Sequence, residues 1–205
     1  MRKFKFTCLL AVVVAVGICS GIAGADVIYN TFAPGDTFIN YAGPALFTGQ
    51  MLASRFTVSG NDYLFDQLEL AVGLSSGTNL LDVSLRADSA GVPGTIIESF
   101  SVSNAPQTYA GKLSIGSVAH PLLQNGLSYW VVMAPGASNT SGFWPQNEQI
   151  SATVAWGPGS SWTVNSNGFA NVYRVSGNLV PEPSSLLAMF AGLGSLGGIL
   201  RRRRR

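Results

Sequence analysis

The segment LLDVSLRAD, residues 80–88, decides the predicted fold because its apolar residues recur at every second position. Leu81, Val83 and Leu85 alternate with polar or charged residues. Successive side chains of a β-strand point to opposite faces of a sheet, so this spacing gives one apolar and one polar face. The alternation predicts a half-buried strand rather than an amphipathic helix, whose apolar residues would recur every three or four positions.

The same period of two extends to segments on either side. In QLELAV (residues 67–72), alternate positions again carry apolar side chains, namely Leu68, Leu70 and Val72. In IIESFSVS (residues 96–103), the alternation groups three apolar residues on one face, Ile96, Phe100 and Val102, and places Ile97 on the other. Both segments are therefore predicted to be strands with one buried face.

Two further segments complete the predicted sheets. LSYWVVMA (residues 127–134) is apolar on both faces, which indicates a central strand, and FANVYRVSG (residues 169–177) is predicted to be one closing strand. Turn-forming residues such as Asn125-Gly126 and Pro158-Gly159 separate the runs. Residues 26–179 are therefore predicted to form one all-β domain, a two-sheet antiparallel β-sandwich of jelly-roll type, with a β-barrel as the alternative.

The positive charge of the chain lies at its two ends. The formal net charge is +2, but eight of the 12 Lys and Arg residues fall within the first five or the last five positions. Residues 26–179 contain four basic residues against nine acidic ones. A domain with this balance has no basic face to meet phosphates, so nucleic acid is not an expected partner.

The first 25 residues have the layout of a secretory signal peptide. MRKFKF carries three positive charges, an apolar stretch follows, and Ala23-Gly24-Ala25 supplies small residues before an expected cleavage ahead of Asp26. An uncleaved membrane anchor is the alternative. Both cysteines, Cys8 and Cys19, lie in this segment, so the exported chain is expected to have no disulfide, zinc site or thiol nucleophile.

The last 26 residues, 180–205, predict a membrane-spanning tail with a motif in front of it. Residues 184–200 are uncharged, and a helix of that length spans roughly 25 Å, so a single short transmembrane helix is predicted. The arginines that follow resist translocation and stop transfer with the domain outside; they are Arg201, Arg202, Arg203, Arg204 and Arg205. Pro181, Glu182 and Pro183 keep the preceding segment extended and accessible.

This order of motif, apolar helix and arginine cluster resembles the PEP-CTERM sorting signal of bacteria with an outer membrane. The resemblance covers about 26 residues and includes all three parts. It implies that an exosortase-type membrane enzyme recognises Pro181-Glu182-Pro183 and removes the tail, after transient anchoring in the inner membrane. It also implies a final place at the cell surface or outside the cell, in association with exopolysaccharide or biofilm matrix.

The domain itself resembles the choice-of-anchor secreted domains, type R in particular. The resemblance rests on TFAPGDTF (31–38), FTVSGNDYLFDQLELAVGL (56–74), SAGVPGTIIESFSV (89–102) and GLSYWVVMAPG (126–136). Such domains occur with differing C-terminal anchors, which implies a module that works wherever it is tethered. The resemblance implies no catalytic or ligand residues.

Enzymatic chemistry has little support in the domain. His120 is the single histidine and precedes Pro121, which predicts an ordinary turn residue. Paired carboxylates of a glycoside hydrolase would have to come from seven acidic residues, Asp62, Asp66, Glu69, Asp82, Asp88, Glu98 and Glu148. No spacing selects a pair. No enzyme activity and no cofactor are predicted, although calcium bracing a loop through oxygen ligands stays an alternative.

The tryptophans suggest a ligand. All four fall between residues 130 and 162. Trp130 is predicted to be core, whereas Trp144, Trp156 and Trp162 lie beside Gly, Pro, Ser and Asn and are candidates for a glycan-stacking platform near Gln146 and Asn147. The alternative is that these rings close one end of the sandwich. The sequence thus predicts a non-enzymatic, exported surface or matrix protein, the rival being a carbohydrate-binding or carbohydrate-active protein.

Overall fold

The structure, a computed structural model, describes residues 24–181. Over these residues the chain forms thirteen β-strands and a single 3₁₀ turn, Pro34–Asp36. The strands make two antiparallel sheets with a shared apolar core, which confirms the predicted all-β class and the β-sandwich. Two separate sheets are present in this part of the chain, not the one closed sheet of the alternative.

The first sheet contains seven strands, with β4 at its centre. Along the main path the order is β1-β13-β4-β10-β2, and β7 and β8 also pair with β4. Its strands are β1 (Asp26–Asn30), β2 (Ala45–Leu46), β4 (Tyr63–Ser76), β7 (Gly111–Gly116), β8 (Leu122–Leu123), β10 (Ser141–Phe143) and β13 (Tyr173–Leu179).

The second sheet contains six strands in the order β12-β11-β3-β9-β5-β6. They are β3 (Met51–Thr57), β5 (Leu81–Ser89), β6 (Val92–Val102), β9 (Ser128–Pro135), β11 (Gln146–Gly157) and β12 (Thr163–Asn171). β9 lies between β3 and β5 and is buried on both faces, as its continuous apolar run predicts.

The predicted apolar face of β5 is confirmed, although Ser84 on the opposite face is also buried. Leu81, Val83 and Leu85 point into the core between the sheets, while Asp82 is exposed on the other face. In β4, Leu68, Leu70 and Val72 face the same core from the opposite sheet, so the two predicted apolar faces pack against each other.

The predicted faces of β6 are wrong at Ile96 and Ile97. Ile96 is exposed, whereas Ile97 packs against the main core. The register shifts here: Leu85 pairs with Glu98 but Arg86 pairs with Ile96, so Ile97 is an extra, bulged residue. A bulge reverses the alternation beyond it, which is why a strict period of two misplaced the two side chains.

Residues 169–177 do not form one closing strand as predicted. Phe169 and Ala170 end β12 in the second sheet, while Tyr173 begins β13 in the first. Val172, between the two strands, is buried and donates its N–H to the carbonyl of Pro145 at 2.8 Å. The chain therefore passes from one sheet to the other within this apolar segment.

Tyr173 lies at the centre of an aromatic cluster in the core. Its ring centroid is 5.4 Å from that of Tyr29, 5.9 Å from that of Trp144 and 6.3 Å from that of Phe56. Tilted and edge-on contacts of this kind are favourable arrangements for aromatic rings. The cluster joins β1, β3 and β13 to the segment after β10, so it ties both sheets together.

A charged network covers part of the outer face of the first sheet. Arg174 donates to Glu69 at 2.8 Å and also pairs with Asp36, and Lys112 lies 3.0 Å from Glu69 and 3.1 Å from Asp36. Hydrogen bonds from Arg174 and Lys112 hold the pKa of Asp36 below its usual value. The network fastens the 3₁₀ turn to the sheet.

Both ends of the domain lie on neighbouring strands. β1 begins at Asp26, which pairs with Gly177 in β13, and β13 ends at Leu179. Val180 donates its N–H to the carbonyl of Asp62, and the exposed Pro181 follows. The predicted signal peptide up to residue 23, the rest of the sorting motif, the transmembrane segment and the arginines lie outside the described residues.

Candidate functional site

Trp144 is fully buried, so its inclusion in the glycan platform is wrong. The neighbouring Phe143 pairs with β4 as the end of β10, which draws Trp144 under the sheet against Tyr173. Its indole N–H donates to the carbonyl of Val172 at 3.0 Å, so its polar atom is satisfied inside the protein. For this ring the alternative, closure of the sandwich, is the correct one.

Trp130 is buried as predicted, but in a small cluster apart from the main core. It packs with Val132 and Ala155, and Trp162 leans partly buried against the same cluster. The indole N–H of Trp130 donates to Asp88 at 2.8 Å. Trp162 therefore packs on the face of the second sheet that points away from the main core.

Trp156 lies on the opposite side of that sheet. It pairs with Leu52, a member of the main core, and residues directly opposite in an antiparallel pair share a face. Trp156 nevertheless exposes 38% of its surface. The structure thus does not bring Trp156 and Trp162 onto one platform.

An open groove surrounds Trp156. It has a volume of about 430 Å³. Its floor is the core-facing side of β3, β11 and β12, and Pro44 and Ala45 form one edge. Phe169 is its second large ring and is 49% exposed. Five amide side chains also line it, Gln50, Gln146, Asn165, Asn167 and Asn171.

A bulge in β12 shapes one wall of the groove. Ala152 pairs with Gly168 and Val154 with Asn165, so β12 has one more residue than β11 between these pairs. A Cβ at Gly168 would come within 2.5 Å of Val154 Cγ2, so glycine is needed for the close approach there. Bulges bend a strand and redirect its side chains, and here the result places Asn165, Asn167 and Phe169 around one space.

The amides differ in how far the protein already satisfies them. Gln50 donates Nε2 to the carbonyl of Ala45 at 2.8 Å, and Gln146 donates Nε2 to that of Phe169 at 3.1 Å. Their Oε1 atoms remain as acceptors at the groove. Asn165 Oδ1 accepts the backbone N–H of Asn167 at 3.0 Å, which stabilises the bulge. Two half-exposed rings beside such amides can stack on an apolar ligand face and hydrogen-bond its polar rim.

Sequence reasoning found Trp156 and Gln146 but missed the other side of the groove. Asn147, predicted beside them, turns away and donates to the carbonyl of Thr31 at 3.0 Å. The missed signal is NSNGFAN (165–171), where a glycine inside a strand pattern indicates a bulge and closely spaced asparagines flank it.

The candidate carboxylates of a glycoside hydrolase do not line this groove. Glu69 is in the charged network on the first sheet. Asp88 accepts from Trp130 and from the N–H of Gly91, and Asp62 accepts from the N–H of Asn125. These three acids hold the fold together.

Glu98 is also occupied in holding a loop. Its carboxylate accepts hydrogen bonds from Ser117 Oγ and from the backbone N–H groups of Val118 and Ala119, at 2.7–3.0 Å. Burial by itself raises the pKa of Glu98, but the donors from Ala119, Ser117 and Val118 outweigh it, so the pKa lies below its ordinary value.

His120 is an exposed turn residue, as predicted. Its backbone has a φ of 45°, and its Nδ1 lies 3.0 Å from the carbonyl of Phe65, to which it donates. Between residues 24 and 181 no three His, Cys, Asp or Glu side chains are grouped so that they could hold a metal ion. Over the same residues no helix is long and apolar enough to cross a membrane.

No protein-family model matches the chain, and no curated protein matches it.

Proposed function

We propose that this jelly-roll-like sandwich is a non-enzymatic polysaccharide-binding domain, exported and sorted to the cell surface or extracellular matrix. The observation that carries the proposal is the groove in which Trp156 and Phe169, both partly exposed, lie among amide side chains. Exopolysaccharide is the proposed partner, and the domain holds or organises it without cleaving it.

The chemistry of the groove suits a sugar. A pyranose ring has a C–H face that stacks on an aromatic face, and a rim of hydroxyl groups that both donate and accept hydrogen bonds. Trp156 and Phe169 supply the first kind of contact, and the oxygens of Gln50 and Gln146 supply the second. Because Trp156 and Phe169 line the same groove, one ligand seated there would cover both rings, which favours a binding role.

The absence of acids from the groove lining supports binding rather than hydrolysis. A glycoside hydrolase needs one carboxyl group to protonate the leaving oxygen and a second to act as nucleophile or base. Among the residues that line the groove in the described part of the chain, none is acidic. Three of the candidate hydrolase carboxylates, Glu69, Asp88 and Glu98, are engaged in structural contacts.

The proposed location rests on the two ends of the sequence. A signal peptide takes the chain out, the arginine cluster stops transfer in the inner membrane, and an exosortase-type enzyme recognises Pro181-Glu182-Pro183 and removes the tail. The motif begins two residues after β13 ends, and Pro181 is exposed, so a processing enzyme would meet it outside the folded sheet.

The test is a glycan array probed with the exported protein purified from its host cells. Trp156→Ala and Phe169→Ala should each weaken binding several-fold, since one stacking ring contributes about 1 kcal/mol. Tyr109→Ala is the matched control, because it removes an aromatic ring that is 60% exposed and does not line the groove. Equal binding by all three variants and the native protein would refute the proposed site.

A further inference from the structure

The groove lining carries no charged side chain within the described residues. From this we infer that the polysaccharide bound there is neutral, recognised through its hydroxyl groups and ring faces, and is not a uronate- or sulfate-bearing polymer. The inference rests on the proposed function and specifies the class of ligand for the same groove.

Apart from the indole N–H of Trp156, the hydrogen-bonding side chains of the groove are all amides. An amide offers one donor group and one acceptor, which matches a hydroxyl group that also does both. Carboxylates and sulfates, in contrast, are acceptors only and are bound most strongly by Arg or Lys. If an acidic sugar bound here, its carboxylate or sulfate oxygens would face the acceptor oxygens of Gln50 and Gln146. Two acceptor oxygens cannot form a hydrogen bond with each other.

Within residues 24–181, Asn171 adds an unpaired hydrogen-bond acceptor to the groove lining. It is 2% exposed, it lines the groove, and its Oδ1 atom is buried with no hydrogen-bond partner among the described residues. An unpaired buried amide oxygen costs about 1–3 kcal/mol. A ligand hydroxyl that reaches this oxygen would donate the missing hydrogen bond.

Two of the four basic residues between positions 24 and 181 belong to the charged network on the first sheet. Arg174 and Lys112 both contact Glu69 and Asp36, at distances up to 3.3 Å. This network lies on the outer face of that sheet, and neither cation lines the groove.

The other two basic residues are committed in the second sheet. Arg55 lies 3.2 Å from Asp88, and Arg86 is half-buried with its Nε donating to Ser84 at 3.0 Å. With four basic residues against nine acidic ones, residues 24–181 have a net charge of −5. The field of the domain therefore opposes the approach of a polyanion, which a neutral chain does not experience.

The experiment compares neutral and acidic polymers on the same exported protein. Soluble β-glucan and mannan are the neutral probes, and polygalacturonate and alginate are the acidic ones. Binding is measured at 50 and 500 mM NaCl for the native protein, Trp156→Ala and the Tyr109→Ala control. Only the part of the signal that Trp156→Ala removes is assigned to the groove, so that any contribution of basic residues outside the domain is subtracted.

The expected result is groove-dependent binding of a neutral probe that changes less than twofold between the two salt concentrations. Asn171→Ala should weaken that binding about tenfold or more, while Val164→Ala, on the same strand outside the groove, should not. Groove-dependent binding of polygalacturonate or alginate in preference to the neutral probes overturns the inference but leaves the proposed function standing. Failure of all four probes to show binding that depends on Trp156 overturns both.

Discussion

Trp156 and Leu52 lie directly opposite each other on β11 and β3, yet Leu52 is 3% exposed and Trp156 38%. The same face of one sheet is thus sealed at β3 and open at the neighbouring strand. The cover over Leu52 is the first sheet, and it does not extend over Trp156 on β11 or Phe169 on β12. The groove is therefore present because the first sheet covers only part of the core-facing side of the second sheet.

Trp144 and Trp156, which sequence reasoning placed on the same platform, should contribute very differently to the free energy of unfolding. Trp144→Ala should lower the free energy of unfolding by about 3–5 kcal/mol, because it opens a cavity in the aromatic cluster and leaves the carbonyl of Val172 without its donor. Trp156→Ala should cost about 1 kcal/mol or less, since much of its ring already faces water. Urea unfolding of the purified variants measures both values. Similar losses for the two would mean that Trp156 is core.

Arg174 should matter more to stability than Lys112, although both contact the same two carboxylates. The Arg174 side chain is 18% exposed and that of Lys112 40%. Arg174→Met should cost about 2 kcal/mol, because the buried Glu69 loses a charged donor. Lys112→Met should cost less than about 1 kcal/mol, as exposed pairs do. Urea unfolding at low and high salt compares them, and a larger loss for Lys112→Met would contradict this account.

Glu98 should give the domain a stability that is lost in acid. Its pKa is lower in the folded than in the unfolded chain, so the unfolded chain binds the proton first as pH falls. The contribution is complete above the ordinary value of 4.5 and disappears as pH falls from there through the lowered folded value. In Glu98→Gln, the unfolding free energy should decline less steeply below that value than in the native protein. Glu148→Gln, at an exposed position, is the control, and parallel pH curves for Glu98→Gln and the native protein would argue against the effect.

Glu182→Ala should block processing of the tail without changing membrane insertion. The apolar segment and the arginines that set orientation are untouched, so only recognition by the sorting enzyme is expected to suffer. The variant should accumulate as a full-length membrane-bound form, whereas the native protein and Glu148→Ala lose the tail. Mass spectrometry of protein from the host cells distinguishes these forms. Arginines 201–205 on the mature native protein would mean a plain anchor.

Sequence alone predicted the regular parts of the fold and failed where the backbone departs from regularity. The faces of β5 follow from Leu81, Val83 and Leu85 because no bulge interrupts them. Ile96 and Ile97 were exchanged because one extra residue in β6 reverses the alternation, and no local pattern marks it. Phe169 and Tyr173 were assigned to one strand because an apolar run does not reveal a passage between sheets.

The groove was predictable only in part for a related reason. Trp156 was identified from its polar surroundings, but the same reasoning misplaced Trp144, which directly follows the short strand β10 and is fully buried. Asn171 and Gln50 are separated by more than a hundred positions and meet only through the order of the strands. Such a meeting depends on sheet topology, which local sequence patterns do not encode.

The pairing of Asp26 with Gly177 has a consequence for the order of folding. The first strand can complete its hydrogen bonds only when the last strand, about 150 residues later in the chain, is available to pair with it. Thr31 makes the same demand, since its hydroxyl bonds the backbone of Asn171 and Tyr173. Contacts of such long range form late and slowly. The first sheet therefore closes only when nearly the whole domain is available, and in the proposed export this closure would come last.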